Sequence, residues 1–213
     1  MSFLPQRKIF LIIPLIVLSA ALLLVALSLA TKHKSQTPLG FSIVSEDFGG
    51  PFTLIDQNGQ AYTDKSFSGR WRLIYFGFTY CPAICPTELA KITRAMSLIG
   101  SDADNILPVF ITVDPERDTP DVVKNYLQSF HPSFVGLTGT VEQVEQAKKG
   151  YKVYSTKVQD PSMTDYTVDH SSFIYFMDPD NNLQAIYKVL DTADDIARDV
   201  RQRMDSYIEN GSP

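Results

Sequence analysis

The spacing of apolar and polar residues changes several times along this chain, and each change predicts an element. Residues 52–56 and 60–63 are short half-apolar runs on either side of Gln57-Asn58-Gly59, and Asn-Gly between such runs predicts a hairpin. Residues 70–79, RWRLIYFGFT, are almost continuously apolar, which suits a strand buried on both faces. After Pro86, a residue suited to a first turn, Leu89, Ile92, Met96 and Ile99 recur at helical spacing, and Gly100 is placed to end the helix. Residues 106–113 form a second buried run, and 114–118 (DPERD) read as a turn. Thr119-Pro120 supplies a cap and a first-turn proline for a helix with Val123, Tyr126, Leu127 and Phe130 on one face. Residues 134–137 suit a short strand, and Thr140 with Gln143 has the spacing of a capping box for a helix closing at Gly150. Residues 168–177 and 183–189 predict a second hairpin around 178–182, followed by a last helix from Thr192 that packs through Ile196, Val200, Met204 and Ile208.

The order is hairpin, then β-α-β-α-β-α, then hairpin, then helix. It predicts an α/β domain whose sheet carries helices on both faces. A C-x-x-x-C pair at the end of a central strand, together with the closing β-β-α, points to a thioredoxin-like fold. Composition agrees. A chain with 20% charged and 11% aromatic residues is globular, and two cysteines cannot staple a mini-fold, so a hydrophobic core must hold it. Charge separates a leader from a body. Residues 1–34 hold Arg7, Lys8, Lys32 and Lys34 and no acid, or +4, which leaves 15 basic and 24 acidic side chains, or −9, on the other 179 residues. An acidic body lacks the basic face a nucleic-acid binder needs, so no nucleic-acid partner is expected.

The leader contains residues 9–30, an uncharged run of 22 residues that spans about 33 Å as a helix, one hydrocarbon core. Ser28-Leu29-Ala30 resembles a signal cleavage site, but the run exceeds the roughly 7–15 residues of a signal core. The expected organisation is therefore a cytoplasmic stretch at 1–8, a single transmembrane anchor at 9–30, a tether at 31–45 and an exported domain at 46–213. Basic residues nearly balance across the run, so they contribute little to orientation. The leader lacks an Arg/Ser-rich transit segment, which favours a bacterial cytoplasmic membrane over a mitochondrion.

The only two cysteines, Cys81 and Cys85, lie where a buried strand ends and a helix begins. A helix amino end favours thiolate, and sulfurs on one turn can share a disulfide or a soft metal ion. Two inert structural cysteines are the alternative. Of three histidines, His33 falls in the tether, His131 reads as a surface helix end, and His170 begins a hairpin strand that can lie beside the sheet's active edge. From the pattern alone His170 is either structural or a ligand. Met163 is either a weak thioether ligand or a packing residue, and Asp169 is a poor candidate for orienting His170 because strand neighbours face opposite ways.

YFGFTYCPAICPTEL (75–89), TVDPERDTPD (112–121), GLTGT (136–140), YKVY (151–154) and DYTVDHSSFIYFMDPD (165–180) resemble, in order and spacing, the Sco/SenC family of copper proteins. The resemblance implies a membrane-anchored thioredoxin-like domain that binds one copper through Cys81, Cys85 and His170. Two thiolates and an imidazole suit Cu(I), and Cu(II) with a further ligand, whereas zinc would want a fourth protein ligand. Two functions follow. One is a metallochaperone delivering copper to the dinuclear centre of cytochrome c oxidase subunit II or another apo-protein, itself loaded by an upstream donor. The other is a thiol–disulfide oxidoreductase, served by a thiol reductant, in which the Cys81–Cys85 pair reduces the recipient's cysteines. Residues 114–118 read either as a charged rim that docks a partner or positions the metal loop, or as a turn with an ion pair.

Overall fold

A computed structural model describes residues 48–159 and 165–209. The expected anchor at 9–30, the tether, His33 and Met163 lie outside these residues. Among the described residues no helix is long and apolar enough to cross a membrane.

Nine strands and four α-helices are described: β1 Thr53–Asp56, β2 Ala61–Thr63, β3 Trp71–Gly77, α1 Ile84–Ile99, β4 Ile106–Thr112, α2 Pro120–Leu127, β5 Val135–Thr138, α3 Val141–Gly150, β6 Ser155–Val158, β7 Thr167–His170, β8 Ile174–Met177, β9 Leu183–Tyr187 and α4 Ala193–Glu209. Seven strands form one sheet in the order β2-β1-β5-β4-β3-β8-β9, and β6 pairs with β7 separately. The central strands β3 and β4 run parallel from Trp71↔Ile106 to Gly77↔Thr112, and every residue of both is buried. That burial is what the two apolar runs predict, because a strand covered on both faces needs no polar alternation.

Local signals set most of the boundaries. Asp56 Oδ1 accepts the N–H groups of Asn58 and Gln60, and Gly59 takes φ +77°, so the first hairpin turns at Asn-Gly as expected. Thr119 Oγ1 accepts the Val122 N–H at the start of α2. The Thr140–Gln143 capping box forms in both directions at α3. Gly100, at φ +76°, ends α1. The interior is dominated by rings. Phe176 stacks on Trp71 at 4.9 Å, and Tyr151 and Tyr175 crowd Phe76 at 5.3 and 6.1 Å.

Three expectations are corrected. Residues 168–177 are not one strand. The chain leaves the small sheet at His170, crosses Ser171–Phe173 without strand pairing and enters the main sheet at Ile174. His170 therefore ends a strand instead of beginning one. Ile208 does not pack: it is 74% exposed. Tyr207, three residues after Met204 and so still on the inward stripe of α4, packs instead, edge-on against Trp71 at 5.1 Å.

Phe176 is fully buried in the central core. Phe176→Ala is expected to cost about 3–5 kcal/mol through lost burial and the cavity left behind. Chemical denaturation measures this loss, and a loss below about 1 kcal/mol would contradict the packing described.

Candidate metal centre

Cys81 and Cys85 straddle the start of α1 at the carboxyl end of β3. The chain turns there because Cys81 N–H donates to Phe78 O at 3.3 Å, and Cys85 N–H then donates to Cys81 Sγ at 3.3 Å. Both thiols are free and both residues are buried, Cys85 completely. His170 reaches the same place from the end of β7. Its Nε2 stands 3.4 Å from Cys85 Sγ. The separate two-stranded sheet holds it there: Ser155 pairs with His170, and Ser171 N–H donates to Tyr154 O at 3.0 Å.

The histidine's tautomer follows from geometry. His170 Nδ1 lies 3.0 Å from the carbonyl oxygen of Ser171, which can only accept, so Nδ1 carries the proton. Nε2 then presents its lone pair toward Cys85 Sγ. Asp169 is exposed and makes no bond to the ring, so the backbone does the orienting. Tyr75 and Phe78 meet the imidazole edge-on at 6.1 and 5.8 Å and fix its plane.

The two sulfurs differ. Hydrogen bonding from the Cys85 side chain, opposed by burial and aided by His170 and by the backbone N–H groups of Cys85 and Ala83, holds the Cys81 thiol well below the usual thiol range. Donating to Cys81, together with burial, pushes the Cys85 thiol up. One thiolate and one thiol thus share a proton at a helix amino end. Cys85 contacts both Cys81 and His170, and His170 also reaches Cys81. Among the described residues no three His, Cys, Asp or Glu side chains stand as a ready-made metal cage.

Two further residues shape this pocket: Gly77, which sequence reading passed over, and Asp118, which it read as part of the 114–118 rim or turn. At Gly77, the middle residue of Phe76-Gly77-Phe78, a Cβ would meet Tyr75 Cε1 at 2.8 Å and Cys85 Sγ at 3.0 Å. Only glycine lets the sulfur approach the strand. The other is Asp118, fully buried at the end of the 114–118 turn. Its carboxylate accepts Thr79 N–H at 3.0 Å and the hydroxyls of Thr79 and Thr112, each at 2.6 Å. It thereby ties the segment leading into Cys81 to the end of β4. Arg117 binds the Asp114 carboxylate and donates to Tyr166 O at 2.9 Å. Its guanidinium lies under the half-exposed ring of Tyr80, 4.9 Å away. The turn therefore positions the cysteine loop as well as making an ion pair. His131 bonds Ser133 at 2.7 Å, away from this cluster.

A thioredoxin-like sheet with a dithiol and an imidazole at its carboxyl edge defines a class of redox or metal-handling domains. Within that class the comparisons are specific: the SCO1/SenC family matches residues 42–205, and this chain belongs to that family. It is 45% identical over 176 residues to the SCO2-like protein of Rickettsia prowazekii, covering 80% of this chain and 84% of the relative. The copper-bound structure of Bradyrhizobium japonicum ScoI is 44% identical with a TM-score of 0.67, covering 73% of this chain and 98% of that one. BsSco, a member of the Sco family of cytochrome c oxidase assembly proteins in which a disulfide switch was identified, is 28% identical. Its TM-score is 0.57, and the match covers 80% of this chain and 97% of that one.

Two outcomes are expected. Because Cys81 is already thiolate at neutral pH, its iodoacetamide rate is expected to change less than about twofold between pH 6 and 8. A thiol titrating near 8.5 would change roughly 80-fold over that range. Mass spectrometry of the alkylated peptides reads this for each cysteine, with Cys85 reacting slowly throughout. Gly77→Ala is expected to displace Cys85 Sγ and raise Cys85 alkylation severalfold, and an unchanged rate would mean that the sulfur does not need the glycine.

Proposed function

We propose that this chain is a membrane-anchored copper chaperone. It binds one copper, as Cu(I) and also as Cu(II) with a further ligand, through Cys81, Cys85 and His170. It hands the ion to a copper-receiving protein, the dinuclear centre of cytochrome c oxidase subunit II by family relationship. The observation that carries this reading is the 3.4 Å approach of His170 Nε2 to Cys85 Sγ with the Nδ1 proton held elsewhere. A first-row metal with sulfur at about 2.3 Å and imidazole nitrogen at about 2.0 Å, near the tetrahedral angle, would separate the two donors by about 3.5 Å. A plain disulfide exchanger has no use for an imidazole nitrogen aimed at the second sulfur. The copper-bound relatives and the family membership support the same assignment.

The proposed chemistry is ligand exchange. Cys81 arrives as thiolate, Cys85 gives up its proton as the metal binds, and His170 supplies a neutral nitrogen, so two thiolates neutralise Cu(I) and leave one negative charge. Protons compete for these donors, so affinity falls as pH falls. The recipient's thiolates then displace the donors one at a time. In the proposed organisation residues 1–8 are cytoplasmic, 9–30 anchor the chain in a bacterial inner membrane, 31–45 tether it, and 46–213 work on the extracytoplasmic side. An upstream copper donor loads the site.

A second reading has its own observation. The unequal thiols, one thiolate and one thiol in hydrogen-bond contact, are the attacking and resolving pair that disulfide exchange requires. A thiol reductant would restore the pair after it reduced the recipient's cysteines.

Anaerobic Cu(I) titration of the reduced full-length chain in detergent, against a chromogenic chelator, separates the two. The chaperone reading expects one copper per chain and at least about tenfold weaker binding in His170→Ala, with disulfide exchange spared. Cys81→Ser and Cys85→Ser should each abolish tight binding. Wild-type copper binding indifferent to His170, or none at all, would leave the oxidoreductase as the function.

A further inference from the structure

β6 and β7 form a sheet of their own, and two strands alone are marginal in water. The place of His170 is therefore set by what ties this sheet to the rest of the domain. Val168 is buried beneath it, but the packing is incomplete. A cavity of about 170 Å³, bounded in part by Asp114, Glu116, Thr156 and Val168, lies between the sheet and the 114–118 turn. Polar contacts span the two, and they centre on Arg117. Its Nε binds the Asp114 carboxylate, and its Nη1 donates to Tyr166 O at 2.9 Å, one residue before β7. The Tyr166 ring lies 3.8 Å from the guanidinium, and its hydroxyl donates to Asp114 Oδ1 at 2.8 Å. The same guanidinium faces the cysteine loop, 4.9 Å from the ring of Tyr80, the residue before Cys81. It is also 5.9 Å from the Phe78 ring, which meets His170 edge-on. Nη2 is buried without a partner, so the side chain acts through Nε, Nη1 and its stacking faces. Lys157 and Glu116 add only an exposed ion pair, worth little.

We infer that Arg117 is a positioning residue that fixes His170 against the cysteines, gripping Asp114 and Tyr166 O with two prongs while it stacks on Tyr80. Its effect on copper rests on the chaperone reading, whereas its hold on His170 in the metal-free chain does not. Arginine suits the role because its donors leave a rigid plane in fixed directions. A lysine ammonium is a compact point charge on a flexible stem, which can keep Asp114 but does not present the same fork to Tyr166 O. Holding the strand in advance spares the incoming ion the cost of ordering it.

The test is Arg117→Met and Arg117→Lys in the full-length chain in detergent. Arg117→Met keeps the stem and removes the fork, and Arg117→Lys keeps the charge as well. Metal-free, reduced protein is treated with diethyl pyrocarbonate, and mass spectrometry reads each histidine. His170 is expected to react about fivefold faster in both variants, the scale of one hydrogen bond's net worth. His131, which bonds Ser133 away from the site, is the internal control and should keep its rate. An unchanged His170 rate would overturn the inference. So would an equal rise at His131, which means general loosening, or a wild-type rate in Arg117→Lys, which means that charge suffices. Should Arg117→Met fail to fold, Arg117→Lys carries the test. Cu(I) affinity adds a second arm: Arg117→Met is expected to bind about tenfold more weakly, the scale for losing a group that orients a ligand. In a His170→Ala background the same substitution should add less than about twofold, since the imidazole through which it acts is gone. A full loss in that background would place the effect on the cysteines alone and overturn the inference. Were the wild-type chain to bind no copper, the chaperone reading would fall, and the metal-free histidine rates would still decide for or against Arg117.

Discussion

The Asp118 carboxylate is held without solvent between the ends of β3 and β4, and the geometry of the site depends on what it binds. Burying a carboxylate is unfavourable, and desolvation pushes its pKa up. Two threonine hydroxyls and one backbone N–H offset that cost, and all three belong to the segments that must be held together. Thr79 is two residues before Cys81, and Thr112 ends β4. The Asp118 carbonyl adds a further tie by accepting the Thr138 hydroxyl at 2.7 Å at the end of β5. Three strand ends are thus clamped from one residue of a short turn. The cysteine loop leaves that clamp in a fixed direction, which is what lets Cys85 N–H reach Cys81 Sγ.

From that fixed loop the electrostatics follow. The hydrogen bond from the Cys85 side chain, aided by His170 and by backbone donors at the helix start, favours charge on the nearer sulfur, and the second sulfur, buried and donating to the first, keeps its proton. The imidazole arrives from a separate small sheet with its tautomer already set by a backbone carbonyl. Among the described residues no carboxylate, guanidinium or ammonium hydrogen-bonds any of the three donors; the Asp118 carboxylate acts one step away, through Thr79. An arrangement built on backbone dipoles and ring edges adds no counter-charge that would compete with a cation for the thiolates, and it costs little reorganisation when the sulfurs change state.

Much of this was legible in the sequence because it is local. Continuous apolar runs gave β3 and β4, Asn58-Gly59 gave the first turn, and Thr119, Thr140 and Gly100 gave helix ends, since each signal acts within a few residues. The cysteine pair was legible for the same reason. His170 was only half legible, because its pairing with Cys85 joins residues 85 positions apart. β6 went unread: Ser155–Val158 is short and polar, with its middle exposed, and it is a strand only because β7 lies beside it. The break at Ser171–Phe173 was hidden inside what looks like one strand. Gly77 could have been suspected, since glycine weakens a strand interior and often marks a close approach. What approaches it is a sulfur from the next helix, which no local pattern shows. Asp118 read as a turn residue because its partners lie 6 and 39 positions away.

Burial also gives the pair a direction. Cys85 is fully enclosed by the Gly77 backbone, the Tyr75 ring and its own helix, whereas Cys81 is 9% exposed at the loop and His170 is half-buried at the end of β7. A thiolate arriving from another protein must therefore meet Cys81 or His170 before Cys85. In the proposed ligand exchange Cys85 would be the last donor to release the ion. In disulfide exchange it makes Cys81, already ionised, the sulfur that attacks, and Cys85 the sulfur that resolves the mixed disulfide from behind. Both chemistries impose the same order because both are constrained by the same access, and access is set by the strand end that Asp118 holds. The imidazole is the one component that disulfide exchange does not require, and its lone pair faces the enclosed sulfur. That placement favours a site arranged to retain a metal until a recipient has engaged the outer sulfur.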